Sequence, residues 1–123
     1  LCLDQQISVN PWQVLMAGVL TGSYQRANEA PQGTPMASSA ALVPGGVKVR
    51  YWKDEHFDLV DKLKDMAQEK GCSVTQLTLA WAFANPAITA VLVGTTSPEQ
   101  VGPNTNAVHI TLTAQEIDIL NNL

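Results

Sequence analysis

The sequence has little charge, few aromatic residues and few cysteines. Of its 123 residues, 15% are charged, 6% are aromatic and two are cysteines, and the formal net charge is −4. This negative balance gives no electrostatic case for binding nucleic acid or an anionic membrane. Cys2 at the chain end and Cys72 at a predicted helix start indicate neither a metal site nor a disulfide framework. We therefore expect reduced thiols in a cytoplasmic protein.

The chain also lacks an apolar stretch long enough to span a membrane, and no basic segment precedes an apolar one at its N-terminus. We expect no membrane insertion. With 46% hydrophobic residues, 123 residues suffice for one domain with a core but not for two. The first residue is Leu1, where a natural translation product begins with Met, so we expect a processed, truncated or excerpted chain.

Strand and helix patterns alternate on either side of one long irregular segment. A short strand is predicted over residues 7–12, where Pro11 makes further pairing difficult. Residues 25–50 contain three prolines and no sustained helical or strand period, which predicts a loop. A structureless connection of this length inside a domain is usually a functional flap or a disordered link.

Three helices are predicted from residue 54 onward. The first has apolar residues at helical spacing and ends at Gly71, a residue typical of helix C-termini. The second follows Ser73 and is apolar on most sides, so we expect it to be buried. The third opens with Thr113 and Glu116, which form a capping-box pattern.

Residues 88–104 form the most informative segment, an apolar strand that leads through a Gly-Thr-Thr turn into a helix. The nearly continuous apolar run favours a strand covered on both faces in a parallel sheet, and ligands of such sheets gather at the carboxyl ends of strands. Gly94 sits at such an end. The helix opening at Ser97 and Pro98 offers N–H groups that favour an anion. A phosphate cradle and an ordinary strand-to-helix turn with a capping serine both fit this pattern.

Two stretches together resemble the C-terminal half of an aldo/keto reductase, in the branch that includes the β subunits of voltage-gated potassium channels. They are WQVLMAGVLTGSY at residues 12–24 and GCSVTQLTLAWAFANPAITAVLVGTTSPEQVGPNTNAV at residues 71–108. The resemblance implies that residues 1–123 are one partial domain, the C-terminal portion of a (β/α)₈ TIM barrel. That portion would comprise two parallel strands, covering helices and a long cofactor-strap loop over residues 25–50.

The resemblance further implies NADP(H) as the cofactor. Trp12 matches an aromatic ring that stacks on the nicotinamide, although a tryptophan that merely fills the barrel mouth is the alternative. Thr96 matches a residue whose hydroxyl can donate to the 2′-phosphate, and the amides of Gln100 and Asn104, one helical turn apart, can face the adenine together. The predicted cofactor-binding residues are Trp12, Gln13, Leu15, Gly18, Gly94, Thr95, Thr96, Gln100 and Asn104.

Departures from the family pattern predict a reduced affinity for NADP(H). Ser23 stands where a lysine is common and Pro35 where an arginine often stands, so both departures remove positive charge from the phosphates. Pro103 lies inside a predicted helix, where proline costs about 3 kcal/mol and the neighbouring Gly102 roughly 1 kcal/mol. We expect that helix to kink and Asn104 to be misaimed.

Catalysis in the family depends on a tyrosine general acid with a lysine, an aspartate and a histidine, all from the first half of the barrel. We predict no catalytic residue and no metal ligand in this chain. The tyrosines and histidines that it does contain are interpreted as strap, linker and surface residues: Tyr24, Tyr51, His56 and His109.

Three functional hypotheses remain. The chain is the C-terminal, cofactor-binding part of an NADP(H)-dependent aldo/keto oxidoreductase that reduces carbonyls to alcohols and is inactive alone. Alternatively, it is a non-catalytic binding or regulatory module, or a degenerate remnant of that family. Half a barrel leaves sheet edges unpaired, so we expect a complementary N-terminal half-barrel or a second copy as a partner, besides the nicotinamide dinucleotide.

Overall fold

The computed structural model describes residues 1–26, 29–38 and 44–123. The chain divides into a central unit, residues 15–75, and a terminal unit, residues 1–14 together with residues 76–123. No helix among the described residues is both long and apolar enough to cross a membrane. The described α-helices are Val47–Tyr51 (α1), Asp54–Lys70 (α2), Val74–Phe83 (α3), Val101–Thr105 (α4) and Ala114–Asn121 (α5), and shorter 3₁₀ helices lie at Met16–Thr21, Pro35–Ala37, Pro98–Gln100 and Asn106–His109.

Helix α2 supplies most of the core of the central unit. Its apolar stripe is buried at Phe57, Val60, Leu63 and Ala67, which confirms the predicted helical spacing. Gly71 follows the last turn with a left-handed φ of 71°, and its N–H donates to two carbonyls of that turn. The predicted glycine stop is therefore confirmed.

Tyr24 is buried, so our prediction that it is a strap or surface residue is wrong. Its side chain is only 7% exposed, and its ring lies 5.4 Å from the ring of Trp52, which in turn meets the edge of Phe57 at 5.1 Å. The Tyr24 hydroxyl donates to the carbonyl of Ala17 at 3.1 Å. Aromatic rings bury large apolar areas, so Tyr24 belongs to the core of the central unit. Sequence periodicity around it gives no sign of this burial.

The described part of the predicted loop is largely irregular, but it contains two short helices. The 3₁₀ helix Pro35–Ala37 buries Met36, and α1 overlaps the predicted end of the loop. Arg26, near the start of the loop, forms ion pairs with Asp54 and Asp58 of α2. Residues 27–28 and 39–43 of the predicted loop lie outside the described residues.

In the terminal unit, a side-chain hydrogen bond joins α3 to α5. The indole Nε1 of Trp81 donates to Oδ1 of Asn121 at 2.8 Å. Residues 77–80 of α3 are buried, as expected for a helix that is apolar on most sides. Helix α5 opens with the predicted capping box, in which the hydroxyl of Thr113 and the carboxylate of Glu116 each accept a backbone N–H of the other residue.

The two predicted strands do not extend into a sheet. The described residues contain no strand, and segments 7–12 and 88–93 are joined by one parallel bridge between Val9 and Ile88. The N–H of Thr89 donates to the carbonyl of Val9 at 2.9 Å. Two parallel segments without neighbouring strands leave both outer edges unpaired, and Pro11 has no N–H to donate. Parallel strands of a partial barrel therefore remain a prediction, although the pairing that forms is parallel.

Candidate functional site

Parallel pairing brings Trp12 and Gly94 to the same edge of the terminal unit. The N–H of Leu92 donates to the carbonyl of Pro11 at 3.0 Å. Trp12 therefore follows the last paired residue of one segment, and Gly94 lies two residues beyond the last paired residue of the other. Because the two segments run in the same direction, their carboxyl ends meet at one edge. This is the edge at which the sequence predicts cofactor-facing residues.

Trp12 presents its ring to solvent at this edge. Its side chain is 68% exposed. A large flat apolar surface that is open on one side is suited to stacking with a planar heterocycle such as nicotinamide. The following residue, Gln13, has a left-handed φ of 57°, which is uncommon for a residue with a side chain and turns the chain sharply after the tryptophan.

The turn at residues 94–96 leaves its backbone accessible. All three residues are exposed, and a Cβ added at Gly94 would meet no heavy atom within 4 Å. Pro98 occupies the first position of the 3₁₀ helix that follows, as predicted. The predicted capping role of Ser97 is wrong, because its side chain accepts no hydrogen bond from that helix. The Ser97 side chain instead helps to lower the pKa of the Glu99 carboxyl.

Thr96 and Gln100, both predicted at the adenosine end, bind each other. Oε1 of Gln100 accepts the backbone N–H of Thr96 at 2.9 Å and lies 3.4 Å from the Thr96 hydroxyl. Gln100 keeps its amide NH₂ available to face an adenine. Both donors of Thr96, however, point at Gln100, so the hydroxyl that the resemblance assigns to a 2′-phosphate already has an acceptor.

Glu99 places a carboxylate in the same turn. The hydrogen bond from Ser97 and a second one from its own backbone N–H hold the pKa of Glu99 below its usual value, so the carboxylate is ionised at neutral pH. A negative side chain in a first helical turn complements the helix dipole. Glu99 thus occupies the electrostatic position at which the helix opening favours an anion such as a phosphate. An acidic residue directly after Pro98 is the sequence signal for this arrangement.

Gly102 and Pro103 lie inside α4, within the segment where the sequence predicts one helix. In place of one continuous helix there are three short pieces, with 3₁₀ helices on either side of α4. The hydroxyl of Thr105 donates to two carbonyls of the preceding turn at 3.1 and 2.9 Å, and Nε2 of Gln76 donates to the carbonyl of Pro103 at 3.1 Å. These side-chain donors bind three successive carbonyls within α4. Asn104 lies half-buried in α4.

Leu15 and Gly18, the remaining predicted cofactor residues, belong to the central unit. The carbonyl of Leu15 accepts the N–H of Gly18 at 2.9 Å. Gly18 has a φ of 97°, and a Cβ there would lie 2.9 Å from the Tyr24 hydroxyl. Met16 and Ala17 also have left-handed φ values of 49° and 53°. Packing against Tyr24 and this backbone conformation therefore require glycine at position 18, independently of any ligand.

The cations at the start of the predicted strap loop are already paired. A cavity of about 290 Å³ in the central unit is bordered by residues 22–26 and by side chains of α2. Lys64 in its wall binds Asp61 at 2.9 Å, which lowers the pKa of Asp61, and Arg26 binds Asp58. Ser23, which stands where the family has a lysine, accepts a hydrogen bond from Thr21 instead.

Charge is divided unequally between the two units. The central unit contains all seven Lys and Arg residues and seven acidic residues, whereas the terminal unit contains four acidic residues and no Lys or Arg. Phosphate groups are recognised mainly by Arg, Lys and unshared N–H donors. Within the terminal unit, residues 94–100 therefore offer a ligand backbone N–H groups, hydroxyls and an amide, but no Lys or Arg. No group of side chains that could hold a metal ion lies in the described part of the chain.

Comparison with known proteins identifies the family. A model of the "Aldo/keto reductase family" matches residues 1–123. A putative voltage-gated potassium channel subunit beta of Schizosaccharomyces pombe is 30% identical over 97 residues, which cover 79% of this chain and 27% of that protein. A probable voltage-gated potassium channel subunit beta of Oryza sativa subsp. japonica is 32% identical over 115 residues, covering 91% and 34%.

An uncharacterized oxidoreductase of Bacillus subtilis is 29% identical over 120 residues, which cover 98% of this chain and 33% of that protein. The chain therefore spans 27 to 34% of the length of these curated relatives. The family match extends over every residue of the chain and agrees with the resemblance carried by residues 12–24 and 71–108. This chain belongs to the aldo/keto reductase family.

Proposed function

We propose that this chain is the C-terminal, cofactor-binding part of a cytoplasmic oxidoreductase that reduces carbonyls to alcohols with a nicotinamide dinucleotide. Family membership supports this proposal, and one relative is named an oxidoreductase. The family implies a (β/α)₈ barrel, of which this chain would supply the C-terminal strands, their helices and the strap loop at residues 25–50. NADP(H) is the cofactor that the family suggests.

The shared edge of Trp12 and Gly94 is the observation that carries the proposal. Trp12 offers an exposed ring for the nicotinamide, and Gly94 and Thr95 offer exposed backbone for the far end of the dinucleotide. The resemblance to the family places the amides of Gln100 and Asn104 at the adenine, and Leu15 and Gly18 at the ribose and phosphates; Gln13 remains a predicted cofactor-binding residue.

When bound, a nicotinamide dinucleotide would supply the hydride, and the residues of this chain would bind and orient it. Trp12 would hold the nicotinamide by stacking against one of its faces. No tyrosine or histidine of the chain matches the acid–base positions of the family, so the proton must come from outside this chain. We therefore propose that the chain is inactive alone and acts with a complementary N-terminal half-barrel or a second copy.

We further propose that NADP(H) binds with reduced affinity. Ser23 and Pro35 remove two positive charges that the family pattern provides. Arg26 and Lys64, which flank the start of the strap loop, are already bound to carboxylates. A phosphate that competes for these cations must displace those partners, which weakens its net attraction.

An NADPH titration followed by calorimetry and tryptophan fluorescence tests this function. We expect the 123-residue chain to bind NADPH at micromolar to low-millimolar concentration, and Trp12→Ala to weaken binding at least about fivefold, because stacking on a large ring contributes roughly 1 kcal/mol or more. Trp52→Phe is the matched control, since it also removes one indole, but from a half-buried ring that packs against Tyr24 and Phe57 in the central unit. Equal affinities of Trp12→Ala and wild type, or no heat of binding, would refute the proposal.

A second candidate is a non-catalytic binding or regulatory module. Two of the relatives are named as voltage-gated potassium channel subunits beta, which is an observation that favours a protein-binding role. Supplying an N-terminal half-barrel with the family's Asp, Tyr, Lys and His in trans separates the two functions. Carbonyl reduction by the mixture supports the enzyme, whereas stable association without reduction supports the module. A chain that does not unfold cooperatively would indicate a degenerate remnant.

A further inference from the structure

The adenosine end of the candidate site is poorly suited to the phosphate that distinguishes NADP(H) from NAD(H). We propose that Glu99 and the Thr96–Gln100 pair select the dinucleotide whose adenosine ribose has a free 2′-hydroxyl, so that NAD(H) binds more tightly than NADP(H). This inference rests on the proposed function, because it concerns the same site.

Glu99 provides the main discrimination. Its carboxylate is exposed in the turn that follows residues 94–96, between the two residues expected nearest the adenosine. A carboxylate can accept a hydrogen bond from a ribose hydroxyl, whereas it repels a dianionic phosphate. Dinucleotide-binding folds use the same contrast, with an acidic residue for NAD and an arginine for NADP. The lowered pKa of Glu99 keeps this repulsion fully present at neutral pH.

Thr96 offers no compensating attraction. Its backbone N–H is bound to Gln100 at 2.9 Å, and its hydroxyl lies near the same amide oxygen. A 2′-phosphate at this position would have to displace the Gln100 side chain. The hydrogen bond between the Thr96 N–H and Oε1 of Gln100 would then be lost. The terminal unit itself contributes no Lys or Arg to this turn.

Parallel titrations of the chain with NADH and NADPH test the inference. The two ligands differ only in the 2′-phosphate, so every other contact cancels in the ratio of their dissociation constants. We expect NADH to bind about three- to tenfold more tightly, which is the effect of one exposed like-charge contact a few Å away. Tighter binding of NADPH would overturn this inference while leaving the proposed function intact. Failure of both ligands to bind at millimolar concentration would overturn the function and this inference together.

The variant Glu99→Gln tests whether the carboxylate of Glu99 causes the preference for NADH over NADPH. The side chain is exposed, so removal of its charge should leave folding intact, and circular dichroism checks this. We expect NADPH affinity to rise about three- to tenfold, with a change of less than about twofold for NADH. Asp118→Asn is the matched control, because it removes one negative charge from a different helix of the same unit. An equal gain for both ligands, or the same gain in the control, would overturn the assignment.

Discussion

At the scale of single residues, the contact between Gly18 and Tyr24 shows how packing fixes a residue type. Gly18→Ala introduces a Cβ at 2.9 Å from the Tyr24 hydroxyl into a backbone with φ of 97°. We expect the free energy of unfolding to fall by about 2–5 kcal/mol, from left-handed strain of roughly 1–2 kcal/mol and overpacking of roughly 1–3 kcal/mol. Urea denaturation measures the loss.

Gly33 provides the matched control for that prediction. Its φ is 80°, but nothing lies within 4 Å of an added Cβ. Gly33→Ala should therefore cost only the strain, about 1 kcal/mol. If the two alanine variants lose equal stability, Tyr24 does not contribute to the requirement for glycine at position 18.

Some features of single residues could be predicted from the sequence, and others could not. Trp12 and Gly94 could be identified as edge residues because each follows an apolar segment, and the two segments were expected to run parallel. The burial of Tyr24 could not be predicted, since it depends on Trp52, a residue distant in sequence. The hydrogen bond between Gln100 and Thr96 is local, but the choice of partner for an amide side chain leaves no sequence pattern.

At the scale of elements, α4 contains a helical glycine without a structural reason. Gly102 has no left-handed φ, and an added Cβ would meet nothing within 4 Å. Gly102→Ala should therefore stabilise the chain by about 0.5–1 kcal/mol, because alanine loses less backbone entropy on folding. Gly71→Ala, at an equally open position with φ of 71°, should destabilise it by about 1 kcal/mol. Thermal unfolding of both variants tests whether the signs are opposite.

The helix ends could be predicted from the sequence and the strands could not, because helix ends depend on nearby residues and strands on distant ones. The end of α2 at Gly71 and the capping box of α5 depend on atoms within a few residues, so the local sequence specifies them. A parallel strand depends on partners on both edges, and the bridge between Val9 and Ile88 is the one such pairing that the described residues provide. Residues 25–50 were predicted to be an irregular loop. This prediction missed α1, because its five residues are too few to show a helical period.

At the scale of the whole molecule, the division of charge gives the candidate site its electrostatic character. The central unit balances seven basic against seven acidic residues, while the terminal unit has four acidic residues and no Lys or Arg. Any dinucleotide phosphate bound by the terminal unit alone must therefore rely on backbone N–H groups and hydroxyls. Such donors accommodate a pyrophosphate, but they discriminate weakly in favour of one more phosphate.

This charge distribution predicts how salt changes the cofactor preference. Screening shortens the Debye length from about 10 Å at 0.1 M salt to about 3 Å at 1 M, so it weakens the repulsion between Glu99 and a 2′-phosphate. The preference for NADH over NADPH should narrow as NaCl is raised between these concentrations, and it should change less in Glu99→Gln. If cations attracted the 2′-phosphate instead, screening would weaken NADPH binding more than NADH binding. The preference for NADH over NADPH would then increase as NaCl is raised. The sign of the change, measured by calorimetry at both concentrations, therefore decides between repulsion by Glu99 and attraction by Lys or Arg.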